Sequence, residues 1–92
     1  MNDQTKKTIS RRLASAAGHI KGIERMVVDD AYCIDVIRQI QAVQAALHKV
    51  NTLMLENHLH TCVTDAIQGE DPAERERMLH EVTSVFAVSS KP

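Results

Sequence analysis

Ninety-two residues, 43% of them hydrophobic, with one Tyr, one Phe and no Trp, describe one small domain built from Ala, Val, Leu, Ile and Met, which is helical rather than sheet material. No apolar run approaches the 18 or more residues of a membrane span, no signal-peptide pattern opens the chain, and Cys33 and Cys62 are too few for a disulfide scaffold, so a cytoplasmic protein with no membrane partner is expected. The net charge of −1 hides six basic against two acidic residues in positions 1–25 and five against ten thereafter, and so small a core excludes an enclosed catalytic pocket while calling for partners.

The first helix is expected over about 6–29, with Thr5 or Asp3 as its cap. Ile9, Leu13, Ala16 or Ala17, Ile20, Ile23 and Val27 recur at spacings of three and four and form an apolar stripe. Gly18 and Gly22 each cost about 1 kcal/mol of helix propensity relative to Ala, and four apart they make a smooth strip where another helix can approach. Arg11, Lys21 and Arg25 share a flank of this helix. Several copies with their first helices on one face would present a basic surface to nucleic acid; the plain alternative is a solvated helix.

Asp29-Asp30 breaks the run and can cap a second helix over about 31–67, which contains no Pro or Gly and would be about 54 Å long. The shorter helices of one chain cannot cover such a rod. Val36, Val43 and Val50 with Ile40, Leu47 and Met54 form a heptad-like seam along it, which points to helix–helix oligomerisation. Gly69-Glu70-Asp71-Pro72 is a turn in which Asp71 caps and Pro72 opens a third helix, running to about 88. Met78, Leu79, Val82, Val85 and Phe86 face inward on that helix, and the tail from Ser89 to Pro92 is expected to fray.

His58 and Cys62 stand four apart on the long helix, so an imidazole and a thiolate share one face and can hold one soft metal ion. Cys33 opens the same helix, about 37 Å from His58 along a straight rod, and cannot join them within one chain. Two long helices running antiparallel would place Cys33 of one copy beside His58 and Cys62 of the other, giving one site per chain, shared between chains. Two thiolates and one imidazole favour three-coordinate Cu(I); zinc or nickel would want a fourth ligand. His19, His48 and His60 read as ordinary surface or satisfied histidines, and His80 beside Glu81 is a weaker ligand candidate. No nucleophile–base arrangement has a cleft to work in, and no enzyme is expected.

Arg12-Leu13, the run from Gly18 to Met26, the run from Tyr32 to Ile40, the run from Ala42 to Leu47 and His58-Leu59-His60-Thr61-Cys62 together resemble the copper-sensitive operon repressor family over about residues 9–86. The resemblance implies an all-α, three-helix protomer with one very long central helix, paired as an antiparallel dimer that assembles into a dimer of dimers. It implies a single metal-sensing domain over 1–92 that binds operator double-stranded DNA without a helix-turn-helix and releases it when the inducer binds. Carried onto this chain, Cys33, His58 and Cys62 would hold Cu(I), one per protomer. Tyr32 and Glu81 would form the surrounding network that couples His58 to the third helix. Arg12 and Lys49 would contact DNA, Lys49 standing where an arginine is common and suiting phosphate better than base reading, with Lys21 and Arg25 extending the basic face.

Other branches of the family fit less well. The nickel/cobalt pattern expects a histidine near the N-terminus and another where Cys62 stands, although some nickel sensors keep the two cysteines and one histidine and add a fourth ligand. The formaldehyde branch shares Cys33 but expects a proline after Met1, where Asn2 is found, and the persulfide branch lacks the histidine that His58 supplies. A copper-storage or chaperone protein would use the same donors without needing a basic first helix.

Overall fold

The computed structural model describes residues 1–89, leaving aside the side chains of Val63 and of residues 86–89; the side chain of Phe86 and residues 90–92 of the tail lie outside the described residues. The chain is all-α: α1 (Asp3–Val28), α2 (Cys33–His58), a π-helical turn (Leu59–Val63), α3 (Thr64–Gln68) and α4 (Pro72–Ser89). Because α2, the π turn and α3 follow one another without a gap, the long central helix is present, with the π turn interrupting a run expected to be regular. Among the described residues no helix is long and apolar enough to cross a membrane. The chain divides into two compact units, Met1–Leu55 and Glu56–Pro92.

The first unit is a hairpin of α1 and the greater part of α2. Asn2, rather than Thr5 or Asp3, caps α1: its Oδ1 accepts from the Thr5 N–H at 2.8 Å, which starts the helix at Asp3 instead of Lys6. The Asp29-Asp30 pair closes α1 instead of capping α2. Asp29 N–H donates to the Arg25 carbonyl at 2.9 Å, and Asp30 takes φ 55°, the left-handed conformation that ends helices. The second helix then begins at Cys33, two residues later than expected, with the Tyr32 carbonyl accepting from the amides of Asp35 and Val36 at 3.0 and 3.1 Å.

Burial divides the stripe of each helix in two. On α1, Ile9, Ala16 and Ile23 are buried; on α2, Val43 and Val50 are buried and Val36 is half-buried. A hydrogen bond between His19 Nε2 and Gln39 Oε1 (2.7 Å) ties the two helices together. With the turn at Asp29-Asp30 it sets an antiparallel register in which Ile9, Ala16 and Ile23 fall level with Val50, Val43 and Val36. The remaining apolar positions are open: Leu13, Ile20 and Val27 are 44%, 49% and 58% exposed, and Ile40, Leu47 and Met54 are 42%, 40% and 40% exposed. Each open set lies four residues beyond a core set, a rotation of about 40° about the helix axis. Since the helices run in opposite directions, that same rotation turns both open sets to the same side of the hairpin. The result is one apolar side, and a polar side behind it that carries the His19–Gln39 bond.

In the second unit the π turn, α3 and α4 pack on one another. Asp71 caps α4 as expected, accepting from the amides of Ala73 and Glu74 at 3.0 and 3.4 Å, with Pro72 as the first helical residue. The Gly69 N–H donates to the Asp65 carbonyl at 2.9 Å and ends α3. Ala66 is buried and Met78 and Val82 are half-buried, whereas Leu79 and Val85, expected to face inward, are each 42% exposed. An 18-residue helix set against the five residues of the π turn and the five of α3 has more apolar surface than those short partners can cover.

Candidate metal site and basic face

His58 is the last residue of α2, and Cys62 lies inside the π turn that follows. The local sequence favours a break in regular winding there. Thr61 and Thr64 are β-branched, poor helix formers whose hydroxyls compete for backbone carbonyls. Thr61 Oγ1 donates to the Asn57 carbonyl at 2.8 Å, and Thr64 Oγ1 donates to the Leu59 carbonyl five residues back, the same step that closes a π turn. His58 and Cys62, four residues apart at the start of this turn, lie on one face of the helix.

The two side chains differ in access: His58 is half-buried, Cys62 exposed and in no disulfide. Thr61 Oγ1 also stands 3.6 Å from Cys62 Sγ, so one hydroxyl serves both the Asn57 carbonyl and the sulfur. Cys33, also a free and exposed thiol, is the first residue of α2 in the other unit. Among the described residues no three His, Cys, Asp or Glu side chains converge closely enough to hold a metal ion. What one chain offers is a pair, His58 with Cys62, and a pair of one imidazole and one thiolate suits a soft ion that tolerates low coordination.

The two residues expected around the metal have other partners or none. Glu81 accepts from Arg77 Nη1 at 3.2 Å, and Arg77 also pairs with Glu74. The hydrogen bonds that Arg77 donates to Glu74, reinforced by the carboxylate's charge, raise the Arg77 pKa above its ordinary value. Tyr32, at the tip of the hairpin, is 68% exposed.

Arg12, Lys21, Arg25 and Lys49 are all exposed. Helical geometry separates them. Arg12 stands three residues after Ile9, and Lys49 one residue before Val50, so both turn to the polar side of the hairpin at nearly the same level. Arg25 lies on the outer face of α1 and leans to that same side, while Lys21 leans away from it. The sequence reading missed the His19–Gln39 bond and Thr61. The first needs the hairpin register before it can be seen; the second was signalled only by a β-branched hydroxyl beside a candidate ligand.

Residues 5–87 match the family described as metal-sensitive transcriptional repressor. The copper-sensing transcriptional repressor CsoR of Bacillus subtilis is 40% identical over 90 residues, covering 98% of this chain and 86% of its own. A protein of the same name from Mycobacterium tuberculosis is 44% identical over 78 residues; the match spans 84% of this chain and 66% of that longer relative. Among solved structures, the Cu(I)-containing crystal structure of CsoR from Geobacillus thermodenitrificans superposes with a TM-score of 0.88 at 35% identity, covering 99% of this chain and 92% of that one. The family match runs through both units of the fold and through Cys33, His58 and Cys62 alike, and the chain belongs to the metal-sensitive transcriptional repressor family.

Proposed function

We propose that this chain is a Cu(I)-responsive transcriptional repressor of the bacterial cytoplasm, bound to operator DNA when metal-free and released when Cu(I) binds. The observation that carries this reading is the donor pair His58 and Cys62 on one face of the π turn, with no third donor beside it among the described residues. The missing thiolate is Cys33 of a second copy, and the relatives named for copper sensing support the choice of ion.

The apolar side of the hairpin supports the pairing that this requires. Six large side chains, Leu13, Ile20, Val27, Ile40, Leu47 and Met54, stay about half exposed on one side of the Met1–Leu55 unit, and a second hairpin laid antiparallel would cover them. Such a dimer carries two equivalent Cys33/His58/Cys62 sites, one Cu(I) per protomer, and two dimers form the tetramer. The whole chain, 1–92, then acts as one metal-sensing, DNA-binding domain.

Cu(I), when bound, supplies a soft centre joining thiolates and imidazole across two chains. The rest is done by the protein. Half-buried His58 presents one ring nitrogen to the site and keeps the other for a hydrogen-bond partner, which fixes its tautomer. Glu81 turns from Arg77 to Tyr32 of the second copy, the residue before that copy's Cys33, so that α4 repacks and the change reaches the cations of the hairpin. Arg12 and Lys49 on the polar side, with Lys21 and Arg25 on α1, hold DNA phosphates.

The test is anaerobic titration of reduced protein with Cu(I) while its affinity for a promoter-derived duplex is followed. One equivalent per chain releases the DNA in the wild type, and His58→Ala stays bound. The reading is sunk if Cu(I) leaves DNA affinity unchanged while nickel or a thiol-reactive aldehyde releases the duplex.

A further inference from the structure

We infer that the polar side of the Met1–Leu55 hairpin straddles one groove of double-stranded DNA, with Arg11, Arg12 and Lys49 on one phosphate backbone and Arg25 and Arg38 on the other. This rests on the DNA-binding reading above and adds to it Arg11, Arg38 and a geometry. The five cations are exposed, and among the described residues none of them forms an ion pair, since the salt bridges there belong to Arg77. Arg12 flanks the core on the polar side, and Lys49 stands at right angles to the core on that side. Arg11, Arg25 and Arg38 each follow a core-facing residue by two positions (Ile9, Ile23 and Val36), which sets them on the outer face leaning to the same side. Their long stems carry the charge the remaining distance.

Along the hairpin these cations form two groups. In the register fixed by His19–Gln39, Lys49 lies within about 3 Å of the level of Arg11 and Arg12, and Arg38 within about 6 Å of the level of Arg25. Roughly 18 Å of helix separates the two groups, against a major groove about 12 Å wide, a difference that inward-reaching side chains close. Between them the surface is low. Ser15, Gly22 and Ala42 each precede a core residue and so turn to the polar side, and a Cβ built on Gly22 would meet nothing within 4 Å. The His19–Gln39 bond crosses this floor and fixes the spacing of α1 and α2, which makes the pair positioning residues. Asp35 is a carboxylate on the same side near the tip, and Asp29 and Asp30 form the turn itself, so the group of Arg25 and Arg38 is the weaker of the two in net charge.

Reduced, metal-free protein is titrated with a promoter-derived duplex at several salt concentrations, and phosphates whose ethylation blocks binding are mapped. Arg12→Ala and Arg38→Ala each lower the slope of log K against log salt by about 0.9, the loss of one phosphate contact. The mapped phosphates form two clusters facing each other across one groove, and the cluster weakened by Arg38→Ala is the one that Arg12→Ala leaves intact. Both positions are exposed and helical, so alanine preserves the helix, as circular dichroism will show. If wild type fails to bind the duplex, the repressor reading itself falls. If wild type binds and Arg12→Ala lowers the slope while Arg38→Ala changes neither slope nor map, the straddling arrangement alone is overturned.

Discussion

Leu47→Ala isolates the contribution of the apolar side of the hairpin to self-association. In the single chain Leu47 is 40% exposed, level with Arg12 and between Ile40 and Met54 on the open seam. Fully burying a leucine side chain is worth about 1.5–3 kcal/mol, so covering the exposed two-fifths contributes about 1 kcal/mol per chain. In a two-fold dimer the residue counts twice, and the substitution should cost about 2 kcal/mol of association, close to a thirtyfold rise in the dissociation constant. Sedimentation equilibrium over a dilution series reads this directly, and the melting temperature of wild type should fall on dilution more steeply than expected for a monomer. An unchanged association constant in Leu47→Ala, with helicity retained, would refute the argument that a second copy covers this side. It would leave the hairpin core of Ile9, Ala16, Ile23, Val43 and Val50 untouched, because Leu47 is not part of it.

Two further predictions concern local geometry. Asp30→Val places a β-branched residue at φ 55° and should destabilise the hairpin by about 1–2 kcal/mol, whereas Asp30→Gly should be neutral or stabilising; chemical denaturation of both variants tests this, and equal stability would contradict it. Thr61→Val removes the hydroxyl that serves both the Asn57 carbonyl and Cys62 Sγ, and Cu(I) affinity measured by chelator competition should fall about tenfold or more, with unchanged affinity counting against a role for Thr61 beside the metal.

How much was legible in the sequence depends on whether the determinants are local. Asp71-Pro72 carries its own capping chemistry within three residues, and the structure places the start of α4 there. The same reasoning misplaced the cap of α1, because Asn2, Asp3 and Thr5 are all competent caps and the choice among them is a matter of one turn. Asp29-Asp30 was legible as a break and not as its kind, since Asp serves equally as an N-cap and as a left-handed C-terminal residue. Periodicity found the buried positions of α1 and α2, Ala16 as one of two choices, but Ile9 and Leu13 look alike to it. Only the packed hairpin shows that one belongs to the chain's own core and the other to an open side. Of the candidate site, the HxxxC pair was readable from spacing alone; the π turn that carries Cys62 depends on which carbonyl each threonine hydroxyl takes, a competition that spacing does not express.

The π turn also absorbs a change of length. One residue more than regular winding needs is taken up between His58 and Thr64 by a wider turn, so the helix resumes afterwards in nearly the phase that a regular coil one residue shorter would give it. Deleting one position of Leu59–Val63 would let the coil close regularly and leave Ala66 in its buried place, whereas the same deletion within the regular turns of α2 would rotate everything after it by about 100°. A one-residue deletion thus costs the fold less at this turn than within α2.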